Sequence, residues 1–317
     1  MLHNQKNRTR QPSIKSVPTV NTLEHRVNKK LIAEYKQSLR EIQAELSRIY
    51  AQYEVNGELT YAQMSQYGRL TSLNATIEKI LLSLGAKVAP AITQLASDVY
   101  HEGYYRLGYN ITSNNGLNIS WGILNPNTVY QSVQEPVSGL PLSERLTKTR
   151  YELLIRQRQT ITQGLIQGKS YGEMARSIRE SFEISASDAL RIVRTEASRN
   201  AGAGEAQSMD YAEEQGIEID RIWDATLDSK TRPRHAALDG QKADEEGYFH
   251  SGDLKARGPS GWGSAKMDIN CRCTIRTQVK DFPPEYRREG SEIVKYETYY
   301  DWAKAHGWSE ENGWPKV

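Results

Sequence analysis

The chain's two cysteines, Cys271 and Cys273, stand one residue apart in the run Asn270-Cys271-Arg272-Cys273, and His235 precedes that run by 35 positions. Thiolate and imidazole are strong zinc ligands, and zinc takes four ligands at tetrahedral angles. His235, Cys271 and Cys273 supply three; the fourth would be His250, Asp239, Glu196 or water, for one zinc ion per chain. Cys-x-Cys is tighter than the gap of about two to four residues common in zinc sites, so a second reading stands beside the first. In it the cysteines are small strand residues whose neighbours pin a loop by hydrogen bonds. A third use of the same residues is an activated Cys–His nucleophile, with Glu196 orienting it or taking a proton. Asp224, Asp228, Asp239 and Asp244 could hold a divalent metal, although acids in Asp/Gly-rich loops more often close turns on their own backbone. The chain has neither a Gly-rich phosphate loop nor a His-Glu-x-x-His helix. A structural role is therefore expected, and a metal-dependent nuclease or cysteine–histidine hydrolase is the alternative.

A second group is Arg194-Thr195-Glu196, on a helix that is otherwise apolar or small on its facing side. Side chains two apart point to different helix faces, so Glu196 cannot neutralise Arg194 locally. The expected device is an ion-paired clamp from this helix to the loop of residues 224–235, completed by Trp223, Arg232, Asp239, Asn270 and Arg272. The plain alternative is a pair of solvated side chains.

The elements that must hold these residues follow from periodicity. Tyr35, Leu39, Ile42, Leu46, Ile49 and Tyr53 fall on one helix face, and Asn56-Gly57 ends it. Thr60 caps a second helix, striped by Leu70, Leu73, Ile77, Ile80, Leu84 and Val88 and resuming through Ile92, Leu95 and Val99 after an expected kink or break at Gly85 and Pro90. Residues 31–109 thus read as an elongated helical hairpin, and 110–141, rich in Asn, Ser, Gly and Pro, as a connector. Helix returns from Leu142, breaks at Gly168 to Ser170, runs to about Ser181, and starts again from a cap at Ser185 or Ser187 toward Tyr211. Residues 217–223 alternate apolar and polar side chains, as a half-buried strand does, and Ile269 and Thr274 to Val279 read as further strand. The fold class is α+β: a helical hairpin region, then a compact domain of helices and a small antiparallel sheet over 142–281, then an aromatic-rich tail, 282–317.

Composition narrows the partners. Hydrophobic residues are 38% of 317, with a mean hydropathy of −0.69, which argues against one large dry core. No uninterrupted apolar run reaches the ~18–20 residues of a membrane span, and none follows the basic N-terminus as a secretory signal would. Two cysteines make no disulfide framework and suit a reducing cytoplasm. Residues 1–30 carry Lys6, Arg8, Arg10, Lys15, Arg26, Lys29 and Lys30 against Glu24 alone, a net +6 that leaves −4 for the rest. This stretch is expected to be a disordered arm that can pair with phosphates.

In order and spacing, Gly168 with Ser170, Arg194-Thr195-Glu196, Trp223, Arg232, His235, Asp239-Gly240, Pro259 and the run from Asn270 to Thr274 resemble the phage minor head proteins named after protein F of phage Mu. The resemblance covers about residues 140–280. It implies a virion protein made in the bacterial cytoplasm and present in few copies inside the head, at the portal vertex. It also implies the portal protein as partner, with scaffold and major capsid protein during assembly, and a part in head morphogenesis and in packaging or ejection of double-stranded DNA. Some family members carry toxin or transferase domains after this module; residues 282–317 are too few for a usual domain of about 100 residues.

Overall fold

The computed structural model describes residues 18–115, 121–279 and the strands 286–289 and 292–295. The fold is α+β. Its helices are α1 (Val20–Tyr53), α2 (Tyr61–Ser65), α3 (Arg69–Asn115), α4 (Pro126–Gln134), α5 (Leu142–Ile166), α6 (Tyr171–Glu214), α7 (Pro233–Ala236) and α8 (Ala265–Asp268). Strands β1 (Ile219–Asp224) and β4 (Thr274–Val279) pair antiparallel with Trp223 opposite Ile275. The short strands β2 (Phe249–Ser251) and β3 (Leu254–Ala256) form one hairpin, and β5 (Tyr286–Glu289) and β6 (Glu292–Lys295) another.

Four long helices build the first core. The stripes of α1 and α3 meet those of α5 and α6, and one continuous apolar cluster runs from Leu31 through Ile42, Ile77, Leu95, Leu153 and Ile161 to Val193 and Ala201. α1 and α6 lie antiparallel: Glu24 reaches Arg194, Tyr35 reaches Ser185, and the Tyr50 hydroxyl donates to the carbonyl of Lys169 at 2.6 Å. Residues 61–111 include a stretch long and apolar enough, by length and composition, to cross a membrane. Its apolar stripe, Leu73 to Val99, is the side packed inside the bundle.

The seam between α3 and α6 is unusually close. A Cβ on Gly204 would overlap the Tyr100 carbonyl oxygen and lie 2.9 Å from its carbon; one on Gly103 would overlap the Ala201 carbonyl oxygen. Only residues without side chains let two helix backbones approach this far.

Several boundaries differ from the sequence expectation. α1 starts at Val20, where the Thr19 hydroxyl accepts from the Thr22 N–H, so residues 20–30 are helix and not part of a disordered arm. Val20, Leu23 and Val27 extend the α1 stripe backward onto the core, which holds that first turn in place. The expected connector contains α4, whose Val129 and Val133 are buried. α3 continues through Pro90 without a break. No cap interrupts α6 at Ser185 or Ser187: Ser185 is buried, and its hydroxyl meets the Tyr35 hydroxyl at 3.4 Å. Ile269 follows α8 as its C-cap and is not in a strand. α5 and the first half of α6 complete the core of α1 and α3. The tail from 282 lies outside the described residues except for β5 and β6.

Candidate metal centre

The second half of α6 carries a smaller core, in which Met209 meets Trp223, Leu238, Phe249, Trp262, Met267, Cys271, Cys273 and Ile275. Trp223 is fully buried at the centre, 5.1 Å from the ring of Phe249 and 5.5 Å from that of Trp262.

Two loops converge here. The first leaves β1 and enters α7, where Pro233 occupies the first turn, a position that needs no N–H. That turn aims His235 inward. The second leaves α8 and turns at Asn270, whose φ of 56° lies in the left-handed region that asparagine tolerates better than most side chains. That turn delivers Cys271 and Cys273 to the same point. His235, Cys271 and Cys273 are 2%, 2% and 5% exposed. His235 Nδ1 lies 3.5 Å from Cys271 Sγ and 3.4 Å from Cys273 Sγ, and the three ligand atoms are all within 4.8 Å of one another.

The surroundings lock both loops. Arg232 donates to the carbonyls of Lys266 (2.6 Å) and Ile269 (2.9 Å), tying the His235 turn to the α8 loop. Arg272 points outward and forks onto Asp228 at 2.5 and 2.6 Å, and the Thr226 hydroxyl donates to the Arg272 carbonyl. Asp228 is thereby held well below the usual carboxylate range, first by the Arg272 bonds and then by the Lys230 N–H. Asp268, 1% exposed, accepts from the backbone N–H groups of Trp262 and Ser264, and its carbonyl accepts from Cys271. The Asn270 N–H reaches Thr195 Oγ1 on α6 at 3.5 Å.

The two thiols bias each other in opposite directions. The hydrogen bond from Cys273, helped by His235, outweighs burial and holds Cys271 below the ordinary thiol value, while that same bond and burial push Cys273 up. The far nitrogen of the imidazole, His235 Nε2, has no hydrogen-bond partner among the described residues. The Trp223 indole N–H faces Cys273, and its hydrogen bond to that sulfur acts against the upward push.

The expected clamp is rearranged. Glu196 is fully buried but turns away from the 224–235 loop; it pairs with Arg145 of α5 and, at 3.0 Å, with Arg199, and accepts from Asn200. Arg194 is exposed and faces Glu24 of α1 at 3.6 Å, so it belongs to the bundle surface. Asp239 accepts from the Ala225 N–H, and His250 pairs with Asp244 at 2.7 Å, so neither joins His235 and the cysteines. Arg26, Lys29 and Lys30 are exposed on α1, while Lys6, Arg8, Arg10 and Lys15 lie outside the described residues. Sequence reasoning missed Arg145, Arg199 and Asp268. It also took a Gly-x-Ser-x-Gly elbow to be absent, yet Gly168-Lys169-Ser170-Tyr171-Gly172 has that spelling. Here, however, the string joins two helices, and Ser170 caps α6 in a reciprocal box with Glu173.

Residues 156–276 match the family described as Phage Mu protein F like protein. The chain is similar to the NAD(+)–arginine ADP-ribosyltransferase EFV of Enterococcus faecalis, 36% identical over 271 residues. That match takes in 84% of this chain but 55% of the relative, so the chain spans about half of that protein's length. It is also similar to the minor head protein GP7 of Bacillus phage SPP1, 29% identical over 283 residues that take in 87% of this chain and 91% of the relative. No solved structure matches the chain significantly.

Proposed function

Because residues 156–276 match the Phage Mu protein F like family, we propose that the chain is a minor head protein of a tailed phage, carried in few copies inside the head at the portal vertex. Its work in this reading is head morphogenesis and the packaging or ejection of double-stranded DNA. The portal protein is its main partner, and scaffold and major capsid protein are met during assembly. The observation that carries the reading is coverage: nearly the whole length of a minor head protein has its counterpart in this chain, 91% against 55% for the transferase.

The transferase relative is the reason to weigh an enzyme. Against it, His235, Cys271 and Cys273 are at most 5% exposed, which leaves no face for a substrate to approach the sulfur or the imidazole. We therefore assign them to holding the module together and assign the chain no turnover. For DNA, the reading uses the basic residues Lys6, Arg8, Arg10 and Lys15 together with the exposed Arg26, Lys29 and Lys30 at the start of α1. Each phosphate neutralised adds about 0.9 to the slope of log affinity against log salt.

Quantitative mass spectrometry of DNA-filled particles, before and after triggered genome release, tests the proposal. A few copies per particle are expected, and their loss or retention on release separates a delivered protein from a fixed vertex component. Absence from particles would overturn the head reading. Removing residues 1–17 and neutralising Arg26, Lys29 and Lys30 is expected to leave α1 folded and weaken DNA binding; unchanged affinity at low salt would remove the phosphate role.

A further inference from the structure

We propose that His235 Nδ1, Cys271 Sγ and Cys273 Sγ hold one zinc ion that cross-links the turn after β1 to the start of β4. With Zn–N near 2.0 Å and Zn–S near 2.3 Å, a tetrahedron has an N···S edge of about 3.5 Å. The two edges present here are 3.4 and 3.5 Å. Two of the three edges among these side chains, which come from two separate loops, therefore already have the spacing the ion sets, and all three ligand atoms lie within 4.8 Å of one another.

The donor chemistry agrees. Two sulfurs and one imidazole nitrogen form a borderline-soft set that selects zinc over magnesium or calcium, which take oxygen. A thiol pair with an imidazole is an odd thing to bury in an otherwise apolar core beside Trp223, Phe249 and Met267 unless something there uses it. Three polar groups have that character at once: the two thiols and an imidazole whose Nε2 stays unpartnered. Binding exchanges the thiol protons for the metal, and two thiolates cancel the charge of the ion, so the buried site ends neutral. The Trp223 N–H that bonds Cys273 keeps its acceptor, since a metal-bound thiolate keeps lone pairs.

The fourth corner goes to a water enclosed with the ion. Glu196 is held by Arg145 and Arg199, Asp239 by the Ala225 N–H, and His250 by Asp244. Among the described residues, no other His, Cys, Asp or Glu joins the group. The frame around the ion is set by Arg232, which ties Lys266 and Ile269 to the His235 turn, and by the Thr195 bond to Asn270.

This inference does not rest on the head reading, and neither outcome of its test bears on particle localisation. The full chain is produced with zinc in the medium and purified without chelator or metal-affinity tag, and its metal is measured by elemental mass spectrometry. About one zinc per chain is expected. The chain is then stripped and titrated with cobalt, which needs no variant to fold. A thiolate-to-cobalt charge-transfer band saturating at about one equivalent is expected, with a lower thermal midpoint for the stripped chain than for the reloaded one. Cys273→Ser should weaken that band, and Cys271→Ser with Cys273→Ser should abolish it. Zinc below about a tenth of an equivalent together with no thiolate–cobalt band in folded protein would overturn the proposal. So would an intact mass lower by two hydrogens, the mark of a Cys271–Cys273 disulfide.

Discussion

Two glycines on α6, two residues apart, should respond to alanine with opposite signs. At Gly202 the nearest atom a new Cβ would meet is the Pro259 carbonyl oxygen at 3.9 Å, ordinary contact distance. Gly202→Ala therefore brings mainly the helix-propensity gain of about 0.5–1 kcal/mol. At Gly204 the same methyl would overlap the Tyr100 carbonyl oxygen, with its carbon at 2.9 Å and the Tyr104 nitrogen at 3.0 Å. These are backbone atoms of α3, which cannot swing aside as a side chain can. The helices must part by roughly an ångström, loosening the core around Tyr100 and Tyr104. Overpacking of this kind costs about 1–3 kcal/mol or more, which exceeds the propensity gain. Stability should then fall by about 1–2 kcal/mol for Gly204→Ala and rise by up to about 1 kcal/mol for Gly202→Ala. At about 2–4 °C per kcal/mol, thermal midpoints on either side of wild type should separate the two variants by several degrees. Urea unfolding of both, beside wild type, provides the measurement. A Gly204→Ala protein as stable as Gly202→Ala would refute the close seam.

Three more outcomes follow from charge, two of them from buried carboxylates and one from an exposed ion pair. Glu196→Ala strands Arg145 and Arg199 without their shared carboxylate and should cost about 3–5 kcal/mol in chemical denaturation; a loss under about 1 kcal/mol would show the arginines repair themselves. Glu205 sits in the α3–α6 seam, where burial alone pushes its carboxyl from 4.5 up to about 7. An acid raised on folding loses stability as pH climbs from its ordinary value to its folded one, so Glu205→Gln should match wild type near pH 4.5 and exceed it by about 1–3 kcal/mol at pH 8. Equal midpoints at both pH values would contradict this. Asp228 behaves oppositely: its depressed carboxyl supports the loop above the ordinary carboxylate range, and that support fades as pH falls through the lowered value. Protection of the 226–232 amides, corrected for the intrinsic pH dependence of exchange, should therefore fall in acid, and Arg272→Ala should lower it at neutral pH; protection indifferent to both changes would detach the ion pair from the loop.

Much of this architecture was legible because it is periodic or local. The stripe from Tyr35 to Ile49 and the alternation before Trp223 each report one buried face. The Thr60 cap and the Asn56-Gly57 stop are decided within a few residues. His235 with Cys271 and Cys273 could be picked out because those residue types are scarce and chemically pointed. What stayed hidden depends on distant partners. Nothing near Glu196 announces Arg145, 51 positions earlier, and Arg194 looked like the clamp only because it is adjacent in the chain. Ser185 has the chemistry of a cap, but Tyr35, 150 residues away, claims its hydroxyl and lets α6 run on. The first turns of α1 were obscured by basic residues on their outer face, though Val20, Leu23 and Val27 continue the inner one.

α6 is 44 residues long, about 66 Å, and it is common property: Met174, Ile178, Phe182 and Val193 seal the helical bundle, while Met209 seals the core around Trp223. The stretch by which the family is recognised, residues 156–276, opens inside α5 and lacks α1 and α3 altogether. A fragment cut at those limits would leave one side of α6 bare to water. The recognisable signature is thus smaller than the least piece of chain with a closed interior. Recombination between genomes can move this module intact only if it takes the preceding helices along, and both relatives share 84% or more of the chain, not the signature alone.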